Sequence, residues 1–399
     1  MQKYHYIFTG SGLSALMTVY QMMVSNQFTN KKILLIDADA KMTNDRTWCF
    51  WELKKEKKSW KHYQKGDSLQ EIVSKKWNSA LFANEHFRRN FKMKPYQYQM
   101  VRGVDFYNLI FDLIAKQNYI HFLHEKVIDF QDLGSHCVVK TEKKTLTCDK
   151  VFNSIYTVDE VKNQTKFPLL QQHFIGWFVK TATPVFNENS ATFMDFSVNQ
   201  KGNTRFMYVL PTSATEALLE YTLFSKKLLP KEEYEAEIQQ YMKNLGITEY
   251  EIMEKEQGNI PMTCYPFWKH NTRNIINIGS AGGWTKASTG YTFKNAYKKS
   301  KALVRFLEKN ISTSLDKTDF RKFHKKDKFW FYDLLLLDIL DSQNELGSKI
   351  FSSMFQSGNP AVIFKFLDEE TSFLEDLQVI WRCPKMLFVK ALFGRIFNY

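Results

Sequence analysis

Gly10, Gly12, Ala15 and Asp37 have the residue types and spacing of a dinucleotide site. In the pattern G-x-G-x-x-A, Gly10 permits a tight turn and Gly12 lets a pyrophosphate approach the backbone around Ser11 and Leu13. Ala15 lets a helix pack close to a sheet. The positive end of that helix faces the phosphates, and Asp37 would hydrogen-bond a ribose hydroxyl. The bland reading of the same residues is a strand–helix–strand turn without a ligand. A second glycine-rich segment, Gly279-Ser280-Ala281-Gly282-Gly283, is closed by Gly290 and Tyr291 before another helical stretch. An early fingerprint joined to a late strand–glycine–helix segment favours FAD over NAD, since a flavin also needs backbone N–H groups and a helix end at its far side. Otherwise the late segment is a flexible loop.

The elements that must position these residues follow from periodicity. Tyr4–Thr9 and Ile33–Asp37 read as strands around a helix from Leu16 to about Met23. Tyr96–Arg102 reads as a strand or loop, and Val104–Ala115 as an amphipathic helix. Short strands follow near Ile120–Phe122, Val127–Phe130, Cys137–Thr141 and Thr145–Cys148, with Asp149–Ile155 as a returning strand. Phe174–Val179, Ala191–Phe196, Arg205–Leu210 and Ala217–Phe224 read as an antiparallel sheet. Pro230–Leu245 is a charged helix, Ile252–Thr263 a strand, Ile275–Gly279 a buried strand, and Phe293–Lys309 a helix. Beyond a basic stretch from Lys317 to Lys328 the pattern is helical to Phe397. The expected fold is α/β. A Rossmann-like FAD-binding domain (1–60 with 96–165 and 258–310) is interleaved with an antiparallel-sheet substrate domain (61–95 with 166–257), and a helical C-terminal region (311–399) follows.

A chain of 399 residues has room for two domains. Its 34 Phe suggest more than one apolar core or an apolar binding channel, unless they reflect a compositional bias. The net charge of +13 attracts polyanions. No nucleic-acid-binding signature accompanies it, so an anionic membrane face is the better partner and nucleic acid is not expected. Cys49, Cys137, Cys148, Cys264 and Cys383 are scattered, without C-x-x-C, which fits reduced cytosolic thiols rather than disulfides or a metal site. Met1 leads almost directly into the first strand, which leaves no room for a signal peptide. No apolar run reaches the ~18 residues that span a bilayer. A cytoplasmic protein lying on the membrane's inner face is expected.

Asn44-Asp45-Arg46-Thr47-Trp48-Cys49-Phe50-Trp51 resembles the N-H-T-W-S-F motif of bacterial lycopene β-cyclases. Leu210-Pro211-Thr212 with Leu218-Leu219-Glu220-Tyr221-Thr222 resembles that family's L-P-L and F-L-E-E motifs. Gly279 to Tyr291 resembles its A-G-x-x-x-P-T-T-G-Y motif. With the N-terminal fingerprint, the four occur in the family's order. The resemblance implies a redox-neutral isomerisation that uses reduced FAD, with NAD(P)H as external reductant. A terminal double bond of lycopene is protonated, a ring closes on the cation, and a ring proton is lost. Glu220 is then the acid/base, because a carboxyl group among apolar neighbours keeps its proton at neutral pH. Without the resemblance it reads as a solvent-facing strand residue. Arg46, Thr47 and Trp48 would line the flavin or the substrate end, although Trp48, Phe50 and Trp51 equally read as core. Arg102 resembles a position near FAD in related flavoproteins, or is a surface arginine. Two departures stand out: Tyr221 replaces the second acid, and Ala287 replaces the proline. Lys309 to Tyr399 is not clearly covered by the resemblance. A membrane-facing tunnel mouth is expected at Lys298, Lys299, Lys301 and Arg305. An FAD-dependent monooxygenase or prenyl reductase acting on an isoprenoid is the competing enzyme, and a carotenoid carrier with a vestigial site is the non-enzymatic reading. Oligomeric state is not readable.

Overall fold

The computed structural model describes residues 3–54, 68–311, 317–324 and 326–397. The sequence is basic from Lys54 to Lys76, and most of that stretch lies outside the described residues. The chain begins with β1 (Lys3–Thr9), α1 (Leu13–Ser25) and β2 (Ile33–Asp37). Next come β3 (Thr47–Leu53), β4 (Val73–Trp77), β5 (Ser79–Ala83), β6 (Arg88–Lys92), β7 (Tyr96–Arg102) and α2 (Gly103–Ala115). β8 (Ile120–His124), β9 (Val127–Asp132), β10 (Cys137–Thr141), β11 (Thr145–Asn153) and the short α3 (Asp159–Lys162) lead to β12 (Leu170–Thr181). β13 (Ser190–Asp195), β14 (Thr204–Pro211), β15 (Glu216–Ser225), α4 (Lys231–Asn244), β16 (Tyr250–Met262) and β17 (Ile275–Asn277) follow. Six helices close the described chain: α5 (Phe293–Ile311), α6 (Lys328–Ser342), α7 (Gly347–Ser357), α8 (Pro360–Leu367), α9 (Phe373–Ile380) and α10 (Lys385–Phe397).

The first sheet has the order β8-β2-β1-β11-β10-β9. Its β8, β2, β1 and β11 run parallel. The stretch that reads as two strands, Thr145–Cys148 and Asp149–Ile155, is the single strand β11, because its two halves share one edge between different partners. β10 pairs antiparallel with the first half and β17 parallel with the second. α1 is buried from Leu13 to Met22, as expected for a helix enclosed between a sheet and another helix rather than lying at the surface. That other helix is α5, which packs along α1.

The second sheet runs β16-β12-β15-β14-β13-β5-β6 and is antiparallel except where β5 meets β13. β14 is buried at all eight positions because both faces are covered. Met207 and Val209 pack with Tyr234, Ile238 and Met242 of α4. Phe206, Tyr208 and Leu210 pack with Phe351 and Phe355 of α7 and with aromatics of β3, β5 and β7. A three-stranded sheet, β3-β7-β4, completes the β structure. β4 to β6 escape a sequence reading because Lys75, Lys76, Arg88, Arg89 and Lys92 mask their alternation.

The C-terminal helices are part of the main core. Leu334, Leu337 and Leu340 of α6, Phe351 and Phe355 of α7 and Phe364 of α8 share one apolar cluster with Trp51, Trp77 and Phe193. α5 differs from expectation. Leu303, Val304 and Leu307 face the core, and the half-buried Lys298 Nζ is tied to Glu370 (2.6 Å) and the Asp368 carbonyl (2.8 Å). Its apolar stripe seats the helix on α1, so Lys298, Lys299, Lys301 and Arg305 do not rim an apolar surface face.

Candidate active site

Strand alternation decides which way Glu220 faces. On β15, Leu218 and Phe224 join the core shared with the C-terminal helices, while Leu219, Tyr221 and Leu223 join the α4 side. Glu220 has the parity of the first set and lines a cleft of about 420 Å³. Tyr221 has the other parity, and its hydroxyl accepts a hydrogen bond from Arg205 (3.2 Å) on the far face of the sheet. A second acid at that position would be turned away from Glu220.

The same cleft reaches the N-terminal fingerprint. Gly10, Gly12, Leu13, Asp37, Arg46, Thr47, Trp48, Gly279, Gly290 and Tyr291 line it together with Glu220. Gly10 has φ +94°, and a Cβ there would sit 2.3 Å from Ser154 Oγ, so the β1–α1 turn requires glycine. A Cβ on Gly12 would meet nothing within 4 Å. Gly12 also caps α1 without a side-chain hydrogen bond, which leaves the first N–H groups of the helix unclaimed by any cap. Asp37 Oδ2 accepts from Ser11 N (2.5 Å) and Ser11 Oγ (2.9 Å), so Ser11 holds the carboxylate at the cleft wall. Ala15 is fully buried in the core that joins the sheet to α5.

The late glycine segment, a tight turn over Gly279–Gly282 that follows β17, packs against Ser14 at the start of α1 and also lines the cleft. Gly290 has φ +72°, and a Cβ there would collide with Gln172 at 2.0 Å. The segment needs no proline at Ala287 to be held. Gly290 N donates to Lys286 O (2.8 Å), Lys286 N donates to Tyr291 O (3.0 Å), and the buried Lys286 ammonium bridges Asp333 (3.0 Å) and Glu369 (3.1 Å). Gly282 and Gly283 line a neighbouring cavity instead, whereas Gly279, Ser280 and Thr285 of the same segment reach the cleft. Arg102 is outside the cleft lining, paired with Glu254 at 2.5 Å.

Sequence reading missed several residues around Glu220. Cys49, Tyr98, Gln172, Phe174 and Tyr208 line the cleft as well. The Thr289 hydroxyl and Gln172 Oε1 are buried without a hydrogen-bond partner among the described residues. Thr222 Oγ1 donates to Glu220 Oε1 (2.7 Å). Behind Glu220, on β16, lies Glu256, only 3% exposed, whose Oε2 accepts from Thr47 Oγ1 (2.7 Å). Burial pushes the Glu220 carboxyl up to about 7, against the hydrogen bonds from Thr222 and Glu256. Burial and the adjacent Glu220 push Glu256 well up. Burial also raises Tyr98, Tyr208 and Tyr291, so the aromatic rings beside Glu220 stay neutral. The arrangement joins, in one aromatic-walled cleft, a carboxyl group that holds its proton up to about neutral pH and the N-terminus of a helix.

Comparison with known proteins decides the family. The family model described as lycopene cyclase protein matches residues 6–392. The chain belongs to the lycopene cyclase family. The match runs through the C-terminal helices, so the family's likeness extends well past Lys309. A curated relative, lycopene beta-cyclase from Paracoccus sp. (strain N81106 / MBIC 01143), is 28% identical over 130 residues, which span 31% of this chain and 33% of the relative. Among solved structures, a geranylgeranyl bacteriochlorophyll reductase-like protein from Thermoplasma acidophilum superposes with a TM-score of 0.70 at 11% identity, covering 99% of this chain and all of that one. A flavoprotein/dehydrogenase from Cytophaga hutchinsonii gives 0.63 at 12% identity, covering 98% of this chain and 100% of its own. A halogenase solved in complex with FAD gives 0.61 at 10% identity, covering 100% and 93%. The cyclase-family chain thus has the fold shared by these flavoproteins.

Proposed function

We propose that the protein cyclises the linear ends of lycopene to β-ionone rings, giving γ-carotene and β-carotene without net redox change. The observation that carries this reading is the Glu220 carboxyl, held protonated near neutral pH in an aromatic cleft that continues to the glycine fingerprint. Glu220 delivers its proton to a terminal double bond, leaving a tertiary cation. The neighbouring double bond attacks that cation, a C–C bond closes the ring, and a ring proton returns to the carboxylate. Substrate and product have the same formula, as an intramolecular lyase or isomerase requires. The faces of Tyr98, Tyr208 and Tyr291 and of Phe174 supply cation–π attraction during the charged interval. Exclusion of water by these rings protects the cation from capture.

FAD fits the cleft. The open side of Gly12, the uncapped start of α1, Asp37 and the glycine segment ending at Tyr291 offer phosphate, ribose and ring contacts in the required order. In reduced form a bound flavin would supply negative charge that offsets the cation, with NAD(P)H as its external reductant. The partner surface is the inner membrane face, where lycopene resides. Support comes from α9 and α10, which expose Phe373, Leu374, Trp381, Met386, Phe393, Ile396 and Phe397 next to Arg382, Lys385 and Lys390. No helix among the described residues is long and apolar enough to cross a membrane.

The structural likeness to a reductase-like protein favours one competing reading, an FAD-dependent monooxygenase or prenyl reductase acting on an isoprenoid. Anaerobic incubation with lycopene and chemically reduced FAD separates the two. The cyclase reading expects products with lycopene's hydrogen count and a loss of about 1,000-fold in rate for Glu220→Gln. Stoichiometric consumption of NADPH or oxygen per product would replace it with the redox reading.

A further inference from the structure

Gly176, at the middle of β12, pairs with Glu220 of β15 on one side and with Glu256 of β16 on the other. The three residues form one row across the sheet, so both carboxylate side chains rise from the same face. Their backbones lie two strand spacings apart, about 10 Å. The glycine between them leaves the room for their side chains to meet. A Cβ at position 176 would stand 2.8 Å from Leu218 Cδ1, 3.1 Å from Glu256 Cγ and 3.4 Å from Glu256 Oε1. Glu256 thus leans across the glycine, and its carboxyl contacts that of Glu220. Each acid has one oxygen taken by a threonine, Glu220 by Thr222 and Glu256 by Thr47. Glu256 Oε1 has no other hydrogen-bond donor among the described residues.

No cation among the described residues forms an ion pair with either acid. Arg102 of β7 is taken by Glu254, and Arg46 is bound to Asp45, from where its positive charge still reaches Glu256 without contact. The remaining titratable groups that face the pair are Cys49 of β3, Tyr98 of β7, Tyr208 of β14 and Tyr291, all held neutral by burial, together with the carboxylate of Glu254 on β16. Two neighbouring buried carboxyl groups with no cation in direct contact resist ionising together. We propose that Glu256 is the positioning residue for Glu220: the two carboxyl groups share one proton across the gap left by Gly176. Glu256 does not line the cleft, whereas Glu220 does. The proton therefore has one exit, through Glu220 to the substrate end, and the pair takes the ring proton back. The catalytic consequence rests on the cyclase reading above, while the pair itself rests on the shared row, the gap at Gly176 and the burial of both acids.

The test is infrared pH-difference spectroscopy of the full chain, following the carbonyl stretch of the protonated carboxyl, alongside the pH profile of lycopene turnover. In the unmodified protein the band should titrate near neutral pH, and Glu220→Gln should abolish that titration. Glu256→Gln removes the second negative charge that would form when the shared proton leaves, so titration and turnover profile should both move to lower pH by at least one unit, with KM for lycopene within twofold. Gly176→Ala, which thrusts a methyl group between the acids, should move both in the same direction and serves if Glu256→Gln does not fold. An unmoved titration in a folded variant of either kind overturns the pair. A titration that moves as expected, in a protein whose Glu220→Gln variant still cyclises lycopene, leaves the pair standing and removes the cyclase role of Glu220.

Discussion

Glu220 shows how a single side chain is shaped by the row it stands in. Its neighbours Leu218 and Thr222 point the same way, and the aromatic rings across the cleft leave few water contacts for a charge. A carboxyl whose folded value lies near 7 keeps its proton where the unfolded chain, with an ordinary value near 4.3, has lost it. Between those limits the folded state binds more protons, so stability falls as pH rises through the window. Glu220→Gln removes that dependence. The variant should therefore gain on the parent protein from pH 5 to pH 8, by on the order of 2 kcal/mol, in urea denaturation followed by tryptophan fluorescence. An equal stability difference at both pH values would show that Glu220 ionises normally. Glu220 was legible through its motif, but Glu256 was not. Glu254-Lys255-Glu256 reads as a solvated charge run, and its burial follows from a glycine on the neighbouring strand that lies eighty residues earlier in the chain. Strand pairing of that range leaves no local mark.

The elements that hold the cleft are of two kinds. The β1–α1–β2 unit was readable because glycine, a helical stripe and a terminal acid are local signals. Its open helix start gives a direct prediction. Gly12→Val places two methyl groups where the structure has only open cleft, so the protein should fold with its thermal midpoint within about 3 °C while its flavin content falls more than tenfold. Absorbance of the purified protein near the flavin bands, set against its circular dichroism melt, checks both halves. The late glycine segment is different. Its anchoring by Lys286 to α6 and to the turn after α8 has no local signature, since a lysine beside Ala287 reads as surface. The C-terminal pattern, helical to Phe397, is divided between α9 and α10, because Pro384 cannot donate its backbone N–H and breaks the ladder.

At the scale of the whole molecule, charge and apolar surface coincide. The net charge of +13 is spread over the chain, yet a group of strongly exposed apolar side chains, Phe373, Leu374, Trp381, Met386, Phe393 and Phe397, gathers on the last two helices. Binding to vesicles containing anionic lipid should be measurable at low salt and weaken as salt is added. Trp381→Ser with Phe393→Ser should reduce it at least tenfold, since each ring contributes roughly 1.5–3 kcal/mol when buried. Equal sedimentation of parent and double variant with such vesicles would place the contact elsewhere. The buried Lys286 bridge has a further consequence, for synthesis. Its partners Asp333 and Glu369 follow it by 47 and 83 residues. A ribosome that has released the glycine segment has yet to make the groups that neutralise its lysine. The cleft wall therefore sets late, and the N-terminal half waits on the growing chain before the site can take up a ligand.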